Sequence, residues 1–108
     1  MKLVRDNIPN LNAAGKLTPR PGSDRSQYSF RPVAGPEEHM LLLRLKLAEE
    51  VGEVLSAPTR EQTIAELGDL LDVILDFQKL LKIEDVEYKA RHAKRARLGG
   101  FDKGWVLE

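Results

Sequence analysis

Apolar residues recur at helical spacing through most of the second two thirds of this chain. From Pro36 the positions Leu41, Leu42, Leu45, Ala48, Val51 and Leu55 form a wide apolar stripe with a 3.6-residue period. Pro36 suits a first helical position, and Glu37 with Glu38 complements the positive end of the helix dipole. Ala57-Pro58 stops the pattern, so the spacing predicts a helix over Pro36–Ser56. Thr59 is placed to cap a second helix, with Gln62 as its capping-box partner. Ile64, Leu67, Leu70, Leu71, Ile74, Leu75 and Phe77 then cover much of that helix's circumference, which predicts a central position. A third helix is expected over about residues 84–98, with a thin apolar side of Val86, Ala90, Ala93, Ala96 and Leu98. Gly99-Gly100 is its stop signal.

The first third reads differently. Leu3, Val4 and Ile8 are spaced to pack on a body while Lys2 and Arg5 reach outward. A short helix is expected from Pro9 to Ala14, closed by Gly15. From Gly15 to Pro36 the chain is rich in Pro, Gly and Ser, which predicts a loop, mobile in part. Within it, 28–33 alternates weakly and is expected as a short edge strand, because Pro32 forbids a central one. These patterns predict one all-α domain: an N-terminal segment and loop (1–35), a helical core (36–98) and a C-terminal tail (99–108). It is a bundle of three to four helices. The apolar surface is too broad for three helices to cover, so completion by dimerisation, or by a higher homo-oligomer, is expected.

Composition narrows the partners. With 108 residues, one modest core is expected. Lys+Arg equals Asp+Glu at 17 each, which gives no general case for nucleic acid or an anionic membrane as partner. The charge is uneven, however. Acids concentrate over 37–87 and bases over 2–31 and 89–97. The absence of cysteine excludes thiolate metal sites, and the charged opening Met1-Lys2-Leu3-Val4-Arg5-Asp6 is unlike a signal peptide. No apolar run is long enough to span a bilayer, and a cytoplasmic protein is expected.

The acids carry the candidate chemistry. Glu50 and Glu53 lie about 60 degrees apart on one helix, and Glu66 and Asp69 repeat that spacing on the next. Glu49 adjoins the first pair. The short Ala57-Pro58 connection makes the two helices antiparallel neighbours, which brings the pairs to similar heights. Acids bordering apolar stripes are costly to bury without cations. Oxygen-only ligands select a hard ion such as Mg²⁺ or Mn²⁺, and Mg²⁺ commonly shares its shell with phosphates. Gly52 and Gly68 lie inside the acidic motifs, where close approach of a backbone or a ligand would account for them. The competing reading is that paired acids merely decorate solvated helix faces.

Glu49-Glu50-x-x-Glu53 followed by Glu66-x-x-Asp69 resembles the signature of the all-α nucleoside triphosphate pyrophosphohydrolases, the MazG-like superfamily. The ends resemble its phosphoribosyl-ATP pyrophosphohydrolase-like house-cleaning branch. They are Lys2-Leu3-Val4-Arg5-Asp6-Asn7-Ile8-Pro9 and Leu98-Gly99-Gly100-Phe101-Asp102-Lys103-Gly104-Trp105-Val106-Leu107. The resemblance implies Mg²⁺-dependent cleavage between the α and β phosphates, giving a nucleoside monophosphate and pyrophosphate. It implies metal ligation by Glu50, Glu53, Glu66 and Asp69, with Glu49 activating water or supporting the ligands. Asp72, one turn beyond Asp69, is either a contact for a second metal or a surface acid. A triphosphate needs cationic partners, and Lys2, Arg5, Lys94, Arg97 and Lys103 are the candidates. The rival reading is a noncatalytic, metal-stabilised helical interaction module.

Overall fold

In a computed structural model, residues 1–16 and 28–108 are described. The expected loop over 17–27 lies outside the described residues. The described residues are all-α: α1 (Ile8–Ala13), α2 (Pro36–Ser56), α3 (Arg60–Leu81) and α4 (Lys89–Leu98), with a 3₁₀ turn over Asp85–Tyr88 before α4.

The punctuation of the hairpin follows from local chemistry. Pro36 opens α2 with its φ already helical and no amide hydrogen to leave unpaired. Glu38 accepts from the Ala34 amide at 2.9 Å and from both terminal nitrogens of Arg31, at 2.6 and 3.0 Å. The Thr59 hydroxyl caps α3 by accepting from the Gln62 amide at 3.1 Å. The reciprocal half of the capping box differs from expectation: the Gln62 side-chain oxygen accepts from the Thr59 hydroxyl at 3.1 Å. α3 ends at Lys82, which takes the left-handed conformation with φ 54°.

α2 and α3 pack on each other as an antiparallel hairpin. Three of their four buried positions, Leu43, Glu50 and Val73, lie on two seams, and the fourth, Leu42, lies beside the α2 seam. On α2 the seam is His39, Leu43, Lys46, Glu50 and Glu53; on α3 it is Thr63, Glu66, Leu70, Val73, Phe77 and Leu80. The steps alternate three and four residues, the spacing of an antiparallel coiled coil. Leu43 is 2% exposed and Val73 7%, and these mark the apolar centre. Further along the same seams the side chains become carboxylates. Acids thus occupy positions that packing alone would fill with leucine.

Three expectations are corrected. Of the stripe expected to face inward on α2, Leu42 is buried, but Leu41, Leu45, Val51 and Leu55 are 40–82% exposed. α2 is apolar on two faces, and the one bearing Leu43 takes the seam, so periodicity alone could not choose between them. No strand forms at 28–33. Arg31 there is engaged with Glu38 on α2, and no neighbouring strand among the described residues offers a ladder. The third helix begins as the 3₁₀ turn at Asp85, and its α-helical part starts at Lys89.

α4 touches the 3₁₀ turn and neither α2 nor α3. Every residue of α4 and of the tail over 99–108 is exposed. The molecule is accordingly extended, 53 × 35 × 22 Å. No helix among the described residues is long and apolar enough to cross a membrane.

Candidate metal centre

Glu50 and Glu53 come from the last two turns of α2, and Glu66 and Asp69 from the second and third turns of α3. Each offers a carboxylate oxygen, and the four oxygens lie within 4.8 Å of one another. The i,i+3 spacing aligns each pair along its helix, and the short Ala57-Pro58-Thr59 connection folds one pair onto the other.

Burial makes this arrangement costly. Glu50 is only 5% exposed, and its Oε2 has no hydrogen-bond partner. Glu66 Oε2 is likewise buried and unpartnered. An unpaired buried carboxylate oxygen costs several kcal/mol of desolvation, roughly 1–3 kcal/mol at the least. Burial pushes the Glu50 carboxyl up, and the charge of Glu53 adds to this, against Lys46. Glu53 is pushed up first because the Glu66 carboxyl lies close enough to share a proton with it, and then by burial. Glu50 and Glu53 therefore hold protons more tightly than free carboxylates do, as burial and neighbouring acids dictate.

Three cations partly offset the acids. Lys46 Nζ lies 3.4 Å from Glu50 and 3.2 Å from Glu49. Lys2 Nζ lies 3.2 Å from the other Glu49 oxygen. Burial works upward on the Glu49 carboxyl, but Lys46 and Lys2 together outweigh it and hold it below the usual range. Arg5 forks between Asp69, at 2.6 Å, and Asp72, at 2.8 Å. Glu53 and Glu66 make no ion pair among the described residues.

The donor set fits a hard divalent cation. It is all oxygen, it is anionic, and two of its oxygens lack any other partner. Opposite ligands of Mg²⁺ lie about 4.2 Å apart, twice a metal–oxygen distance of about 2.1 Å. The 4.8 Å spread therefore needs a contraction of a few tenths of an ångström, within side-chain reach.

The structure brings Glu49, Glu50, Glu53, Glu66, Asp69, Lys2 and Arg5 to one end of the hairpin. It does not bring Lys94, Arg97 or Lys103 there. These leave from beyond Leu81, and 12 residues of α3 separate Asp69 from that end, about 18 Å of helix. Asp72 pairs with Arg5, which accounts for it without a second metal. At Gly52 and Gly68 an added Cβ would meet no protein atom within 4 Å, so close approach of a backbone in the protomer does not explain them. Lys46 was not anticipated. Its signal is visible in the sequence: it precedes Glu49 and Glu50 by three and four residues on the same helix.

Comparisons with family models, with curated proteins and with solved structures returned no match.

Proposed function

We propose that the protein is a Mg²⁺-dependent nucleoside triphosphate pyrophosphohydrolase, with Mn²⁺ as an alternative ion. It cleaves between the α and β phosphates to yield a nucleoside monophosphate and pyrophosphate. The observation that supports this most is the convergence of Glu50, Glu53, Glu66 and Asp69 around a wholly buried Glu50 oxygen with no partner. An acidic patch that only decorated a surface would leave its oxygens to water. Here two seam positions are given to acids that the protein itself does not neutralise. The likeness of the acidic signature and of both chain ends to the MazG-like superfamily supplies the reaction class.

In this reading Glu50, Glu53, Glu66 and Asp69 hold the ion. A bound Mg²⁺ would supply Lewis acidity toward a phosphoryl oxygen and lower the pKa of a bound water. Glu49 stays charged through the neutral range and keeps Lys2 and Lys46 beside the centre, where a polyphosphate needs positive charge. Its lowered pKa makes it a weak proton acceptor, so a supporting role suits it better than general base. Removal of noncanonical nucleotides in the cytoplasm is the physiological role that the house-cleaning resemblance suggests. The working form is a homodimer, since the hairpin leaves its second apolar faces uncovered.

The alternative reading, a metal-stabilised helical interaction module without catalysis, draws on those same exposed faces. A panel of nucleoside triphosphates, assayed for pyrophosphate with and without Mg²⁺, separates the two. Glu53→Ala and Asp69→Ala should lower metal-dependent pyrophosphate release by about a hundredfold or more while helicity by circular dichroism is kept. Full activity in both variants would defeat the enzyme reading.

A further inference from the structure

Among the described residues, Arg5 is the cation outside the helical hairpin that touches a carboxylate of the four-acid centre. Its Nη2 donates to Asp69 Oδ1 at 2.6 Å and its Nη1 to Asp72 Oδ2 at 2.8 Å. Both are short, charge-assisted bonds, and together they use the fork of the guanidinium on two acids one helical turn apart. Asp69 is also one of the four residues whose oxygens converge within 4.8 Å. A divalent ion at that centre and a guanidinium on the same carboxylate repel each other and compete for its lone pairs.

Arg5 is built to leave. Its side chain is 58% exposed, and it lies ahead of α1 on a segment that makes no ladder with the hairpin. The half-buried Leu3 and Val4 anchor that segment beside it. Arg5 also lines an open groove of about 850 Å³ that continues along α3 past Asp72, Leu75, Lys79 and Lys82. A guanidinium released by Asp69 but kept by Asp72 stays in this groove, whose other charged lining is Asp76, Lys79, Lys82 and Glu84.

We propose that Arg5 is an internal stand-in for the metal: it pairs with Asp69 while the centre is metal-free and passes to a substrate phosphate when a divalent ion takes that carboxylate. The inference rests on the metal-centre reading above. It makes metal and polyphosphate binding cooperative, because the phosphate supplies Arg5 with a replacement for the partner that the metal removes.

The test turns on opposite signs. Mn²⁺ binding is titrated by electron paramagnetic resonance, and inorganic tripolyphosphate binding by calorimetry in the presence of Mg²⁺. Arg5→Ala should bind Mn²⁺ alone roughly two- to fivefold more tightly than the native chain. It should bind tripolyphosphate with Mg²⁺ on the order of tenfold more weakly. Arg5→Lys, which keeps the charge but cannot fork, should fall between the two for Mn²⁺. Lys2→Ala removes an equal charge from Glu49, outside the four, and should change Mn²⁺ affinity less than Arg5→Ala does. If Arg5→Ala leaves Mn²⁺ affinity unchanged or weakens it, the inference is overturned while the metal centre stands. It is also overturned if Lys2→Ala has as large an effect, since long-range charge would then explain both. If the native chain binds neither Mn²⁺ nor Mg²⁺, the metal centre itself fails and the inference with it.

Discussion

Glu53 stands where leucine would otherwise lie in the seam, and its raised pKa turns that position into a dependence on pH. Its carboxyl titrates above 4.5 in the fold because Glu66 lies beside it and because it is partly buried. The folded state therefore binds this proton more tightly than the unfolded chain. The resulting stabilisation is complete below the unfolded pKa and is lost as pH rises through the folded value. Burial and the Glu53 charge push Glu50 the same way. Thermal denaturation of the metal-free protein should therefore show a fall in Tm from mildly acidic to neutral pH. Glu53→Gln should remove much of that fall and raise Tm at neutral pH by a few degrees, in line with about 1 kcal/mol. Added Mg²⁺ should raise Tm of the native chain more at pH 8 than at pH 5, since protons and metal compete for the same oxygens. Equal metal effects at the two pH values would count against a shared site. The four acids were legible in the sequence because i,i+3 spacing on consecutive helices places them without tertiary information. Their partners were not: Lys2 with Glu49 spans 47 residues and Arg5 with Asp69 spans 64. No local pattern encodes such pairings.

The helices show the same division between local and long-range information. α2 has both bounds, and α3 the start, that capping chemistry predicts, because proline, a threonine cap and an interrupted connection act within a few residues. Thr59→Ala removes the hydroxyl that accepts from Gln62 and should cost about 1 kcal/mol, or roughly 4–8 °C in Tm. Because the turn over 57–59 also sets how the two acid pairs meet, the same variant should weaken metal binding modestly; calorimetry with Mn²⁺ measures both effects on one sample. At the other end of α2, Glu38 is held down to about 2 by Arg31 first, and by the Ala34 amide. Its contribution is present above the ordinary carboxylate pKa and is lost as pH falls through about 2. Glu38→Gln should flatten that acid limb. What the sequence did not disclose was which face of α2 turns inward. Leu41, Leu42, Leu43 and Leu45 cover most of a helical circumference, and only the match to α3 selects Leu43 for the seam. The edge strand at 28–33 failed for a related reason. Alternation over six residues is a local pattern, but a strand needs a neighbouring ladder, and Arg31 is tied instead to a helix.

For the whole molecule the uncovered surface is the dominant fact. The chain exposes 9548 Å², where a compact monomer of 12.2 kDa exposes roughly 6,100 Å². Its radius of gyration is 18.0 Å, against about 13 Å for a compact domain of this length. The exposed apolar residues are not scattered. Leu41, Leu45, Val51 and Leu55 follow one face of α2, and Ile64, Leu67, Leu71, Ile74 and Leu75 follow α3. A two-helix seam centred on Leu43 and Val73, with Leu42 buried beside it, buries little apolar area to set against the entropy of ordering the chain. In the proposed homodimer a second copy would offer the same faces in return, and a two-fold axis would let both bury them at once. Each leucine so covered contributes about 1.5–3 kcal/mol. Leu67→Asp with Leu71→Asp, two exposed positions one turn apart, should therefore shift sedimentation velocity from dimer to monomer. The variant should lose Tm with it, because folding and association are linked. Val73→Asp is the contrast: it places a charge at the centre of the protomer and should abolish helicity at any concentration. Were the double variant to sediment and melt as the native chain does, the apolar faces would not be the surface on which two copies meet.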